Sequence, residues 1–393
     1  MNLPAQKRPL SFLLVCQTYP PVLGGSEIEA QRICSALVKR GYGVTVVCAG
    51  GPPMPPLRDW VDPQGVPVRL YAENWKGTWK NVVFAVRMAG MMIRERRKYQ
   101  VVYFLMQGIH VAAGLPLARM LNKPIIMKLA GSGEVPRMFA SSMGRLELRW
   151  LNRWAKKLLI LNEGMRQEAL AHGLSADKLM LMPNPVDTQE FSPATEVERL
   201  ALCARFGVSP SAQVIIYTGR LAQEKALPGL VDAFHLARKQ VPHAVLVLVG
   251  DGPIRPALIE QARQLGLPEE NIRFTGRVPA SEVSLWLKIS TIFALISPSE
   301  GFSCALEEAM STGIPSVVSD IPANRQLVED DVHGLLVPVG APEKTAEAIV
   351  RLLENEPLRL RLGDASRKRV MENFSTDHVV AIYEALFQEA TAK

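Results

Sequence analysis

The sequence predicts an α/β protein with two parallel-sheet domains, and three observations support that class. Short apolar, β-branched runs alternate with longer amphipathic stretches, the pattern of strand-helix-strand units. The alternation occurs twice within 393 residues, a length that suits two domains better than one core. Between the halves, residues 182–193 (MPNPVDTQEFSP) interrupt both periodicities with prolines and turn formers, which marks a linker.

In the first half the predicted strands are 12–16, 44–48, 68–71, 101–105, 124–129, 158–161 and 179–182. In the second they are 214–218, 244–249, 272–275, 292–296, 315–318 and 335–337. Open parallel sheets bind ligands beyond the carboxyl ends of their strands, so a cleft between two such domains is where chemistry is expected. Hydrophobic residues at 48% and charged residues at 21% are ordinary globular usage and exclude a disordered chain. The longest apolar stretch, 101–118, contains Gln107, His110 and Pro116, and reads as a strand followed by a helix, not as a membrane span. Lys7 and Arg8 precede an apolar run, 11–16, too brief for the core of a secretory signal. Five scattered cysteines with no Cys-x-x-Cys pair suit a reducing cytoplasm and give no zinc site.

The net charge of +7 is unevenly placed. Through residue 195 there are 25 Lys+Arg against 13 Asp+Glu, and beyond it 20 against 25. The basic first half implies an anionic partner: nucleic acid, anionic lipid or a phosphorylated metabolite.

The segment 297–318 (SPSEGFSCALEEAMSTGIPSVV) is the most informative. A strand ends before it, a polar loop follows, and a helix runs from about Ser303 to Thr312, with Gly313 as its cap and Pro315 preventing continuation. Backbone N–H groups around Gly301, Phe302, Ser303 and Cys304 at the helix start would suit a phosphate. Glu300 on the loop and Glu308 in the helix could serve a sugar hydroxyl and a ribose. Each Glu taken alone reads equally as a solvated residue favouring the helix dipole.

The string from Glu300 to Glu308, a Glu, seven residues and a second Glu, resembles the signature of the retaining family 4 glycosyltransferases, which have the two-domain GT-B fold. The resemblance extends over nearly the whole chain: 19–27 (YPPVLGGSE), 40–46 (RGYGVTV), 183–187 (PNPVD), 219–225 (GRLAQEK) and 250–253 (GDGP). It implies an N-terminal acceptor-binding domain over 1–190, a C-terminal nucleotide-sugar-binding domain over 191–373, and a helix over 374–393 crossing back to the first domain. It implies that Arg220 and Lys225 bind the donor diphosphate, Arg as a fork and Lys as a point charge. The catalytic set is then Glu300, Arg220 and Lys225. Gly24 and Gly25, following the first strand, face donor and acceptor in such enzymes, and the segment with Val278 contacts the nucleobase. Ala226 stands where the family usually has Gly. At the end of strand 124–129 many members carry His-Gly, and this chain has Ala130-Gly131. Gly131 and Ser132, or His110 beyond the preceding strand, are the candidates for positioning sugar or acceptor. Retention is described for the family as same-face attack, with the departing phosphate assisting deprotonation of the acceptor.

No Asp-x-Asp occurs, so a metal-binding carboxylate pair is missing and no cofactor is expected. No Gly-x-Gly-x-x-Gly follows the first strand, which disfavours a nicotinamide dehydrogenase. Arg145, Arg149, Arg153 and Lys157 recur at i,i+4 beside Trp150 and Trp154, which predicts either a cationic membrane-surface helix or a domain helix with a solvated basic side. No nucleic-acid module accompanies it. The expected function is transfer of a sugar, UDP-linked more than GDP-linked, to a glycan or lipid-linked acceptor in polysaccharide or glycolipid synthesis, in the cytoplasm or peripherally on the inner face of the membrane. The alternative is a noncatalytic partner that binds a nucleotide sugar or lipid headgroup.

Overall fold

The computed structural model describes residues 10–21, 24–50, 59–72, 77–129 and 131–392. The chain divides into two compact units, Met1–Pro185 with Thr376–Lys393, and Val186–Ser375.

Unit 1 carries β1 (Ser11–Cys16), β2 (Gly43–Cys48), β3 (Asp59–Val61), β4 (Pro67–Leu70), β5 (Val101–Leu105), β6 (Ile125–Lys128), β7 (Ala155–Ile160) and β8 (Leu179–Leu181). Their spatial order is β3-β4-β2-β1-β5-β6-β7-β8, parallel except for the antiparallel β3–β4 pair. The central strands are apolar along their whole length because helices cover both sheet faces: all five residues of β5 are buried. The short edge strand β3 falls where no run was expected. Its three residues pair with β4, Trp60 opposite Val68, and are too few to show a period.

The helix Thr376–Thr391 belongs to unit 1. Val379, Val380, Tyr383, Leu386 and Phe387 face the core, at the spacing of one helix side, and Phe387 stacks on Phe12 with ring centroids 4.7 Å apart. Each such buried side chain contributes roughly 1.5–3 kcal/mol, so this segment is an integral part of the unit.

Unit 2 carries β9 (Gln213–Thr218), β10 (Ala244–Val249), β11 (Ile272–Gly276), β12 (Ile292–Leu295), β13 (Ser316–Ser319) and β14 (Leu335–Val337) in the order β11-β10-β9-β12-β13-β14, all parallel. Val186 and Ser375, the first and last residues of the unit, pair as a parallel bridge, with the Val186 N–H donating to Phe374 O at 2.9 Å.

The helix Ser142–Trp154 ends where β7 begins, which corrects the predicted cationic stripe. Lys157 lies on β7 and donates to Asp177 O at 2.9 Å. Arg145 turns back to Phe139 O at 3.0 Å and Ser142 Oγ at 3.1 Å, leaving Arg149 and Arg153 exposed. Trp150 and Trp154 stack on each other at 5.4 Å. Among the described residues no helix is long and apolar enough to cross a membrane.

Candidate active site

The connectivity of unit 2 reverses between β9 and β12. From β9 the chain steps outward to β10 and β11, then returns to the other side of β9. Loops leaving the carboxyl ends of β9 and β12 therefore diverge and open a crevice, the usual ligand position in such sheets. Lys225 and Glu300 meet there. Lys225 ends the 3-10 turn Gln223–Lys225 after β9, and Glu300 lies in the loop after β12. The ammonium donates to both carboxylate oxygens, at 2.7 and 2.8 Å. The pair is neither buried nor solvated: Lys225 keeps 23% and Glu300 9% of its side-chain surface exposed.

Arg220, two residues beyond β9, is 65% exposed and pairs with Glu224. Its backbone is anchored from below: the Tyr217 hydroxyl donates to Arg220 O at 3.1 Å. Burial, with the carboxylate of Glu300 nearby, pushes the Tyr217 phenol up, so it stays a neutral donor. The loops after β9 and β10 touch through backbone: a Cβ on Gly250 (φ 136°) would lie 2.0 Å from Gly219 O, and only glycine fits. Ala226 follows Lys225 with φ 50°, so a residue with a Cβ occupies the left-handed region where the family usually has Gly.

The helix Cys304–Ser311 starts at Ser303, whose Oγ accepts from the Leu306 N–H at 3.2 Å. Gly301, Phe302 and Cys304 are half-buried around this start, and Phe302 lies against Phe374 with centroids 6.2 Å apart. Glu308 is half-buried one turn on, and its neighbour Glu307 is buried. Val278, two residues past β11, packs partly against the unit 2 core. The site is polar and cationic on the β9 side and offers a capped helix start on the β12 side. A half-exposed ammonium such as that of Lys225 can exchange its carboxylate for another anion.

The sheet of unit 1 reverses between β1 and β5. Gly24 caps the helix Gly25–Lys39, and Glu27 Oε2 occupies the space a Cβ on Gly24 would need, 2.3 Å away. Thr18 Oγ1 donates to the same carboxylate at 2.6 Å. Gly25 is exposed at the helix start. After β6, Gly131 borders open space and Ser132 is half-buried. Glu134 accepts from the Gln107 N–H at 2.9 Å and Glu168 from the Gly133 N–H at 2.8 Å, which fixes this loop. Ala130 lies outside the described residues.

His110 lies inside unit 1. It is 0% exposed, faces Phe84 at 5.7 Å, and its ring lies beside the backbone of Leu105 and Met106 without a well-aligned hydrogen bond among the described residues. Burial lowers it from the ordinary histidine value to about 4, so it is neutral near pH 7. Glu224, four residues after Arg220, is legible in the sequence as its ion-pair partner through the i,i+4 spacing. Tyr217 gave no signal, because a tyrosine in an apolar strand reads as core. Among the described residues no three or more His, Cys, Asp or Glu side chains gather in a metal-holding group.

A family model described as "Glycosyl transferases group 1" matches residues 204–369, and one described as "Glycosyl transferase 4-like domain" matches 24–185. N-acetyl-alpha-D-glucosaminyl L-malate synthase of Bacillus anthracis is 28% identical over 184 residues, 47% of each chain. Sulfoquinovosyl transferase of Arabidopsis thaliana is 25% identical over 323 residues, 78% of this chain and 61% of its own. The matches thus span less than two thirds of either relative. Anabaena HepE, solved in complex with UDP, has a TM-score of 0.80 at 19% identity, covering 96% of this chain and 99% of that one. The likeness is one of fold: two parallel-sheet α/β domains of the GT-B type.

Proposed function

The chain belongs to the group 1, family 4-type glycosyltransferases, and from that premise we propose that it transfers a sugar from a nucleotide diphosphate donor with retention of configuration. The observation that carries the proposal is the Lys225–Glu300 pair at the point where the unit 2 sheet reverses. Lys225 and Arg220 take the diphosphate. The helix start at Ser303, with Gly301, Phe302 and Cys304, adds backbone donors, and no metal ion is required. Glu300 accepts from a donor-sugar hydroxyl, Glu308 from the ribose, and Val278 lines the base. UDP is favoured as the nucleotide because HepE was solved with UDP and with UDP-glucose.

The unit of Met1–Pro185 and Thr376–Lys393 takes the acceptor and that of Val186–Ser375 takes the donor. In unit 1, Gly24, Gly25, Gly131 and Ser132 offer backbone groups to the acceptor or sugar. The bond from the anomeric carbon to the diphosphate oxygen breaks as the acceptor oxygen bonds to that carbon on the same face, and the acceptor proton passes to the departing phosphate. The acceptor is a glycan or a lipid-linked sugar, and the basic first half favours a chain that works at the inner face of an anionic membrane.

Transfer assayed with UDP-sugars tests this reading. Glu300→Ala should nearly abolish product while leaving the unfolding temperature close to that of the parent, and chelator should leave the rate intact. An inverted anomeric product by NMR, or strict dependence on manganese, would contradict it.

A further inference from the structure

The cations of unit 1 concentrate away from the strand ends that carry Gly24 and Gly131. A concavity of about 670 Å³ lies at the opposite edge of the sheet, where Gln100, Pro124 and Trp154 immediately precede β5, β6 and β7. Four cations line it: Arg119 and Lys123 near the end of helix Ile109–Met120, Arg153 at the end of helix Ser142–Trp154, and Lys156 on β7. Among the described residues no carboxylate lines it, and the side chains of Arg119, Arg153 and Lys156 form no ion pair or hydrogen bond.

Arg119 and Arg153 also complement helix C-terminal dipoles, a purely structural use. Lys123 and Lys156 lie beyond both helices and are left unexplained by it. Lys123 is spent partly on Tyr99 O, at 2.7 Å, and burial lowers it from the ordinary lysine value. Lys156 stands near enough to Lys178 to help lower that lysine, after burial as the main cause. Four cations in one hollow without an acid repel one another, and a bound anion would relieve that.

We propose that this concavity is a binding site for a phosphate group, with Arg119, Arg153 and Lys156 as its ligands. Guanidinium forks match phosphate oxygens two at a time, and the hollow is large enough for the rest of a phosphate ester. The source is either free phosphate or the phosphomonoester headgroup of an anionic lipid, for which the stacked Trp150–Trp154 pair beside the hollow would supply an apolar wall. The site lies within unit 1 and stands whether or not the transfer reading holds.

The test uses the full chain carrying Arg220→Ala and Lys225→Ala, so that unit 2 does not report. Binding of inorganic phosphate is measured by calorimetry, and of phosphatidic acid vesicles against phosphatidylcholine vesicles by flotation. We expect one of the two probes to bind, and Arg119→Gln/Arg153→Gln/Lys156→Gln to weaken it roughly tenfold or more, as loss of charge-assisted contacts requires. Phosphate alone would identify a soluble ligand, and phosphatidic acid alone a headgroup. If the triple variant fails to fold, Lys156→Glu, at an exposed position, carries the same expected direction, and Lys156→Arg should retain binding. Binding of neither probe, or binding unmoved by the three substitutions, would overturn the proposal.

Discussion

Two lysine-glutamate pairs, one in each unit, show how differently the same chemistry can be used. In unit 1, Lys128 at the end of β6 pairs with Glu29 on helix Gly25–Lys39, and both are buried, 0% and 3% exposed. Asn184 Oδ1 accepts from the same ammonium at 2.8 Å, and the Tyr383 hydroxyl lies 3.5 Å from the carboxylate and 3.1 Å from the Tyr103 hydroxyl. Burial raises the Glu29 carboxyl even though Lys128 pulls it down. This pair joins two strands, a helix, the chain before the unit boundary and the returning final helix, and its charges are closed off from solvent. The Lys225–Glu300 pair joins two loops and keeps an open side. A buried pair holds a fold, whereas a half-exposed one at a sheet reversal can trade partners with a ligand.

The largest expected stability effect separates the two. Lys128→Met leaves Glu29 buried without its cation and should cost about 3–5 kcal/mol in chemical denaturation. Lys225→Ala should cost no more than about 1 kcal/mol, as for a pair with access to solvent. Lys128→Met combined with Glu29→Leu should recover much of the loss, because an apolar pair removes the stranded charge. Comparable losses from Lys128→Met and Lys225→Ala would remove the distinction.

His110 sharpens the comparison from inside unit 1. Its folded value of about 4 lies below the unfolded one near 6.5, so the unfolded chain binds the extra proton between them. Its contribution to stability is full above about pH 6.5 and is lost as pH falls toward 4, by roughly 3 kcal/mol at the limit. His110→Phe should flatten that part of the stability-pH profile, and His110→Ala should retain most transfer. A transfer rate that collapsed in a folded His110→Ala protein would place the imidazole in the chemistry.

A smaller effect is expected beside the unit 2 pair. Ala226 holds φ 50°, and Ala226→Gly should stabilise the protein by about 1 kcal/mol in thermal unfolding. A loss of stability would mean that the Ala methyl packs usefully there.

Strand composition made most of the fold legible, because strands buried on both faces write themselves as apolar, β-branched runs. The three-residue β3 was illegible for lack of length. Glu300, Lys225 and Arg220 stood out because each follows a strand in an ordered motif, yet the salt bridge between Lys225 and Glu300 could not be read. Lys225 and Glu300 lie 75 residues apart, and contact depends on β9 and β12 being neighbours. Nothing local marks Lys128, since its partner Glu29 is 99 residues away on a helix. The i,i+4 cationic stripe overreached because periodicity alone did not reveal that the helix stops at Trp154.

For the proposed transfer, Lys225 must leave Glu300 for a diphosphate. Calorimetry of UDP and uridine binding to the parent and to Lys225→Ala tests this most directly. The variant should bind UDP more weakly by roughly 1.5–3 kcal/mol, the range for a hydrogen bond to a charged group, while uridine affinity stays the same. Equal UDP affinity in parent and variant would contradict the account, because Lys225 would then serve only its salt bridge with Glu300.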